Sequence, residues 1–318
     1  MLPERLLQSK FQGGMIGSAV GGALGAPFKG LNPNDLELEP WPLEIIDGRH
    51  TDGVKTMMKI AESLIGRGGF NGGDIANRLL PNLSPSKKSN LKPVRASPRT
   101  IVDGASLKTA NNRLLGGGDH SDKNVTAGMT TLGLFYYDDL ETLRETCHNF
   151  GSIIRLHRMA LEGAMAHAYA VALSVEETPW GGMDPTDLIE EVESLIEHPL
   201  YRDRLRAIRR FLNSPQDRGS IVKVLGNPSE ALNSVPTALY CALSRIESFE
   251  AAVSYAVGLG GDTDTIASLT GAVSGVLHCL EDIPYRWRAR LEDVDHISDL
   301  ANKLLKAREI NRGYGAST

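Results

Sequence analysis

Gly13, Gly17, Gly21 and Gly25 recur four residues apart. On a helix that spacing places all four on one face. A face without Cβ atoms lets another backbone come closer than side chains allow, as in tightly packed helix pairs. Each helical glycine costs roughly 1 kcal/mol against alanine. Tertiary packing, not local propensity, must therefore hold this segment. Ala26-Pro27 ends it. A second small-residue face, Ala267, Gly271, Ala272 and Gly275, lies within Ile266 to Leu280. Glycine accounts for 33 of the 318 residues and aromatics for 6%, which suits closely packed helices better than a β-sandwich.

Further helical periods follow. Val54, Met57, Met58, Ala61, Leu64 and Ile65 obey the i, i+3, i+4, i+7 rule, and Gly66, Gly68 and Gly69 terminate the run. Helices are also predicted over Leu161 to Leu173, within Asp187 to Phe211 (one or two), and over Pro236 to Ile246, Ala251 to Val257 and Ile266 to Leu280. Met129 to Tyr137 reads as helix or strand. Pro81 to Arg99 holds five basic residues, four prolines and no acid, and reads as a solvated loop; Gly116 to His120 reads as another. There is no strand–helix alternation, internal repeat or dividing linker. The expectation is an all-α, single, compact, orthogonal helical domain over residues 1–318.

The formal net charge is −5, which argues against nucleic acid as a partner. Cys147, Cys241 and Cys279 are odd in number and far apart, without a CxxC pair. Neither a disulfide framework nor a zinc site is expected, and a cytoplasmic location is the simplest reading. Phe11 to Phe28 is uncharged but only weakly hydrophobic, and Lys29 ends it early, so no membrane role is expected.

The stretch Gly260-Gly261-Asp262-Thr263-Asp264-Thr265 precedes an apolar helix. Alternate spacing lets Asp262 and Asp264 point to one side of an extended turn, and Thr265 adds a hydroxyl. Mg²⁺, Mn²⁺ and Ca²⁺ take such oxygen ligands. The competing reading is a helix cap by Asp262 or Asp264. Thr51-Asp52 likewise stands at a helix start, where capping is the simple explanation.

These residues also carry a resemblance. Gly-Gly-Asp-Thr-Asp-Thr followed by Ile266-Ala267 resembles the C-terminal signature of the ADP-ribosylglycohydrolases. Asn233 to Tyr240 and Gly271 to Gly275 are similar to the segments flanking it. Gly13 to Pro27 resembles the family's opening helix, Thr51-Asp52 falls where the family carries Thr-Asp-Asp-Thr, and Leu156-His157 is similar to its Thr-His element. The resemblance implies an all-α hydrolase that cleaves the C1″ bond of an ADP-ribosylated protein or small ADP-ribosyl compound. It implies one or two Mg²⁺ or Mn²⁺ ions on Thr51, Asp52, Asp262, Asp264 and Thr265, with Asp52, Asp262 and Asp264 serving metal–water activation. His157 would lie near the ribose or phosphate, a buried and satisfied histidine being the alternative.

Two departures bear on that implication. Gly53 and Val54 replace the family's second Asp and Thr, and Lys29 stands where its first loop carries an acid. Lysine is a donor without acceptor capacity, so it cannot take over the acid's role. Lys29 and Gly53 are thus expected at the substrate end of the site. The alternative function is an impaired relative that binds ADP-ribose or a nucleotide without turnover.

Overall fold

The computed structural model describes residues 2–32, 43–79, 120–154, 156–178, 182–227 and 231–315. The basic loop Pro81 to Arg99 and residues 116–119 lie outside them. Among the described residues there are fourteen α-helices and one 3-10 turn, with no strand. The helices are α1 (Glu4–Gly25), α2 (Asp52–Arg67), α3 (Gly72–Leu79), α4 (His120–Phe135), α5 (Leu140–Ile154), α6 (Arg158–Glu176) and α7 (Pro185–Leu195). They continue with α8 (Pro199–Asn213), α9 (Arg218–Leu225), α10 (Ala231–Ser244), α11 (Phe249–Gly258), α12 (Thr263–His278), α13 (Tyr285–Arg288) and α14 (Val294–Gly315).

The glycine stripe of α1 meets the small-residue face of α12. A Cβ on Gly13 would lie 2.1 Å from the Gly275 carbonyl oxygen, one on Gly17 2.2 Å from that of Gly271, and one on Gly21 1.9 Å from that of Ala267. The order of these pairs makes the helices antiparallel, with backbones in direct contact over three turns. Nearly every residue from Phe11 to Gly25 is buried, so this pair forms the spine of the core. Helices α6, α10 and α11 pack on α12, while α14 packs on both α1 and α2.

Local chemistry sets the ends. Thr51 caps α2 by accepting from the Val54 amide at 3.3 Å, and Gly68 closes the helix in the left-handed region at φ 67°. Asp184 caps α7 ahead of Pro185, Asp217 caps α9 and Ser248 caps α11. Met129 to Tyr137 proves helical through Phe135. The helix expected from Pro236 begins earlier, at Ala231, and accommodates the proline inside it. Cys147, Cys241 and Cys279 are free, buried thiols. Among the described residues no helix is long and apolar enough to cross a membrane.

Candidate active site

The antiparallel pairing puts the end of α1 beside the start of α12. A Cβ on Gly25 would lie 2.8 Å from the Asp264 Cα, and the Thr263 hydroxyl donates to the Gly25 carbonyl at 2.7 Å. Beyond α1 the chain ties back on itself: the Gly30 amide donates to the Gly261 carbonyl at 2.7 Å, and the Gly261 amide to Leu31 at 2.9 Å. Gly260 and Gly261 both take positive φ, 68° and 74°, where glycine is the residue without a steric cost. Asn227, which the sequence reading did not single out, completes the turn. Its carbonyl accepts from the Asp262 amide at 2.8 Å and its side-chain amide donates to Leu259 at 3.0 Å. The Gly226-Asn227-Pro228 run was the available turn signal.

The motif is not an extended turn. Asp262 occupies the N-cap position and Thr263 already starts α12. The Asp262 carboxylate makes no cap; its main-chain carbonyl accepts from Thr265 and Ile266. Both carboxylates turn instead to Lys29. Its ammonium stands 3.0 Å from Asp262 Oδ1 and donates to Asp264 Oδ1 at 2.8 Å and Oδ2 at 2.6 Å. The Asp262 side chain is 2% exposed and that of Asp264 18%. Burial raises the Asp264 carboxyl above its usual range, and Asp262 pushes the same way against the opposing Lys29 hydrogen bond. The Lys29 ammonium is held above its ordinary value: burial lowers it, but its bonds to Asp264 and Asp262 outweigh that.

The start of α2 reaches the same corner. A Cβ on Gly22 would lie 3.3 Å from the Thr51 hydroxyl and 3.7 Å from the Ser268 Cβ, so these side chains flank α1 one turn before its end. Asp52 is solvent-exposed: its side chain is 77% exposed and pairs with Lys55 at 3.6 Å. Gly53 is buried and brings no side-chain ligand atom. His157 is not the buried histidine expected as one possibility. It is an exposed N-cap of α6, its Nδ1 accepting from the Met159 amide at 3.4 Å, because the helix start needs an acceptor there.

The donors do not fit a two-ion site. Among the described residues no three His, Cys, Asp or Glu side chains form a metal-binding group. Two carboxylates converge, and an ammonium already lies between them.

Among the described residues, the fold and site together define an all-helical protein with paired carboxylates at the head of a buried helix. The ADP-ribosylglycohydrolase family model matches residues 3–313. ADP-ribosylhydrolase ARH3 of Xenopus tropicalis is 28% identical over 336 residues, covering 93% of this chain and 95% of that protein. ARH3 of Homo sapiens is 24% identical, covering 93% of each. A solved structure described as an ADP-ribosylglycohydrolase-related protein complex shares the fold with a TM-score of 0.70 at 24% identity, over 96% of this chain and 99% of that one. The chain belongs to the ADP-ribosylglycohydrolase family and is a glycohydrolase enzyme.

Proposed function

We propose that the protein hydrolyses the C1″ glycosidic bond of an ADP-ribosylated protein or a small ADP-ribosyl compound. The observation that carries this reading is the Asp262–Asp264 pair at the head of α12, in a chain the family model matches almost end to end. In the reaction a water oxygen bonds to C1″ and the bond to the acceptor breaks. The acceptor leaves with the bonding electrons and takes up a proton, giving ADP-ribose and the free acceptor. Asp264 receives the water's proton, being the more exposed of the two carboxylates and held above its ordinary range by burial. Asp262, fixed through its amide on Asn227, holds the second negative charge beside the ribosyl cation that develops at C1″. Thr51 brings its hydroxyl to the flank of α1 one turn before its end, and Thr265 follows Asp264 directly on α12. Mg²⁺ or Mn²⁺ would draw on Asp262, Asp264 and Thr265, and would need Lys29 to leave.

The test measures ADP-ribose released from ADP-ribosyl-arginine and ADP-ribosyl-serine peptides. Asp264→Asn is expected to lower kcat/KM by about 100-fold or more, in line with loss of a general base. A second reading, binding without turnover, is favoured by Gly53 and by the ammonium at the carboxylates. It predicts calorimetric binding of ADP-ribose with no release from either peptide.

A further inference from the structure

We propose that the Lys29 ammonium is the resident cation of the Asp262–Asp264 pair, and that the site works without a divalent ion at that position. The inference rests on the hydrolase reading above. A primary ammonium has three N–H donors and no acceptor. Three carboxylate oxygens face it, Asp262 Oδ1, Asp264 Oδ1 and Asp264 Oδ2, at 3.0, 2.8 and 2.6 Å. The ammonium thus straddles both oxygens of Asp264 and reaches Asp262 Oδ1, an ion pair to each carboxylate at once. The contact belongs to the fold, because Lys29 follows α1 by one short turn, and the glycine-tight packing of α1 on α12 sets where that turn ends.

The surroundings supply no better home for a divalent ion. Mg²⁺ asks for about six oxygens in a near-octahedral shell. Gly53 offers no side-chain oxygen, Asp52 is turned to solvent beside Lys55, and the Thr51 hydroxyl is engaged as a cap. An incoming ion would have to displace the ammonium from both carboxylates and would leave a like charge nearby. Lys29 neutralises part of the pair's charge and fixes both carboxylates in one orientation. It is a positioning residue: it acts on the substrate through Asp262 and Asp264.

The experiment uses the full chain, stripped with EDTA, and follows two readouts: peptide hydrolysis, and melting temperature in Mg²⁺ or Mn²⁺ alone. Wild type is expected to hydrolyse in EDTA within about twofold of its rate in Mn²⁺. Neither ion is expected to raise its melting temperature. Lys29→Met leaves the two carboxylates without their cation. It should lose metal-free hydrolysis by about tenfold or more and acquire a Mn²⁺-dependent rise in melting temperature through mass action. Lys29→Arg keeps the charge, so it should keep part of the metal-free hydrolysis and show no response to Mn²⁺.

Hydrolysis by wild type only on adding Mn²⁺ would overturn this inference and leave the proposed function standing. So would a Mn²⁺-induced stabilisation of wild type equal to that of Lys29→Met. If no variant releases ADP-ribose under any condition, the function fails instead, and the metal titration of wild type still decides the role of Lys29. Should Lys29→Met not fold, wild type and Lys29→Arg give the same decision.

Discussion

Replacing Gly271 by alanine tests the contact on which the site's geometry depends. The new Cβ would lie 2.1 Å from the Gly17 carbonyl oxygen and 2.8 Å from its carbon. An unstrained C···O approach is about 3.3 Å, so the shortfall is roughly 1.2 Å. The obstructing atoms are main chain and cannot rotate away. Either α1 or α12 must move, in a stretch where both are fully buried. Overpacking of this kind costs about 3 kcal/mol at the upper end of its range, because relief needs a backbone shift. Alanine returns roughly 1 kcal/mol of helix propensity, leaving a net loss of about 2 kcal/mol. For a chain of this size that lowers the melting temperature by about 3 °C. Gly66→Ala is the matched control. Gly66 is exposed near the end of α2, and the nearest atom to its Cβ would be the Arg78 Nη2 at 4.0 Å. There the same substitution is expected to stabilise by about 0.5 kcal/mol. Separating α1 from α12 also pulls Lys29 from Asp264, so hydrolysis by Gly271→Ala should fall even well below its melting temperature. Differential scanning calorimetry on both variants gives the comparison. A Gly271→Ala protein as stable as Gly66→Ala would refute the direct backbone contact.

Two further predictions concern buried titratable groups. Lys10, fully buried, donates to the Ser174 carbonyl at 2.9 Å and the Val276 carbonyl at 3.0 Å, near the last turns of α6 and α12. Lys10→Met leaves both carbonyls without that donor, and chemical denaturation should show a loss of about 2 to 4 kcal/mol. Burial lowers the Lys10 pKa to about 8, so over the interval from there to its unfolded value of 10.5 the unfolded chain binds the extra proton. The wild type's advantage over Lys10→Met should therefore grow with pH across that window. His167, buried on α6 and hydrogen-bonded to the Thr130 hydroxyl at 2.9 Å, has its pKa pushed down to about 3 by burial. Its neutral form is the folded one, so stability should be full above pH 6.5. It should fall on acidification towards pH 3 by as much as about 1.4 kcal/mol per pH unit. Urea midpoints for wild type and His167→Gln across that interval check this, and an equal acid dependence in both would sink it.

Much of the molecule was legible along the chain because its signals are local. The four-residue glycine spacing demanded a helix buried against a backbone. The apolar periods after Thr51 and after Asp262 marked α2 and α12, and Thr51 proved the cap its position suggested. From sequence, α3, α5, α9, α13 and α14 stay unassigned, α3, α9 and α13 being too short for a clear period. His157 proved to be an exposed helix cap and not a core residue, a distinction its letter does not carry because caps, ligands and buried polar groups draw on the same side chain.

What no local pattern contained was which face meets which. The two small-residue faces stand some 250 positions apart in the sequence, and only packing shows that each needs the other. Lys29 illustrates the consequence. As a letter it is a missing acid, a defect in a familiar pattern. In the folded chain the same residue is the cation between Asp262 and Asp264, because the antiparallel contact of α1 and α12 delivers it there. Asp52 shows the reverse: adjacent to a residue that reaches the corner, it points to solvent beside Lys55, since successive residues of a helix's first turn leave it in different directions. Sequence determined the demands of each helix face and end, through periodicity and capping chemistry. The tertiary structure decided the charge balance of the site, because electrostatic partners are set by distance in space and the chain brings its ends together only when its smallest faces interlock.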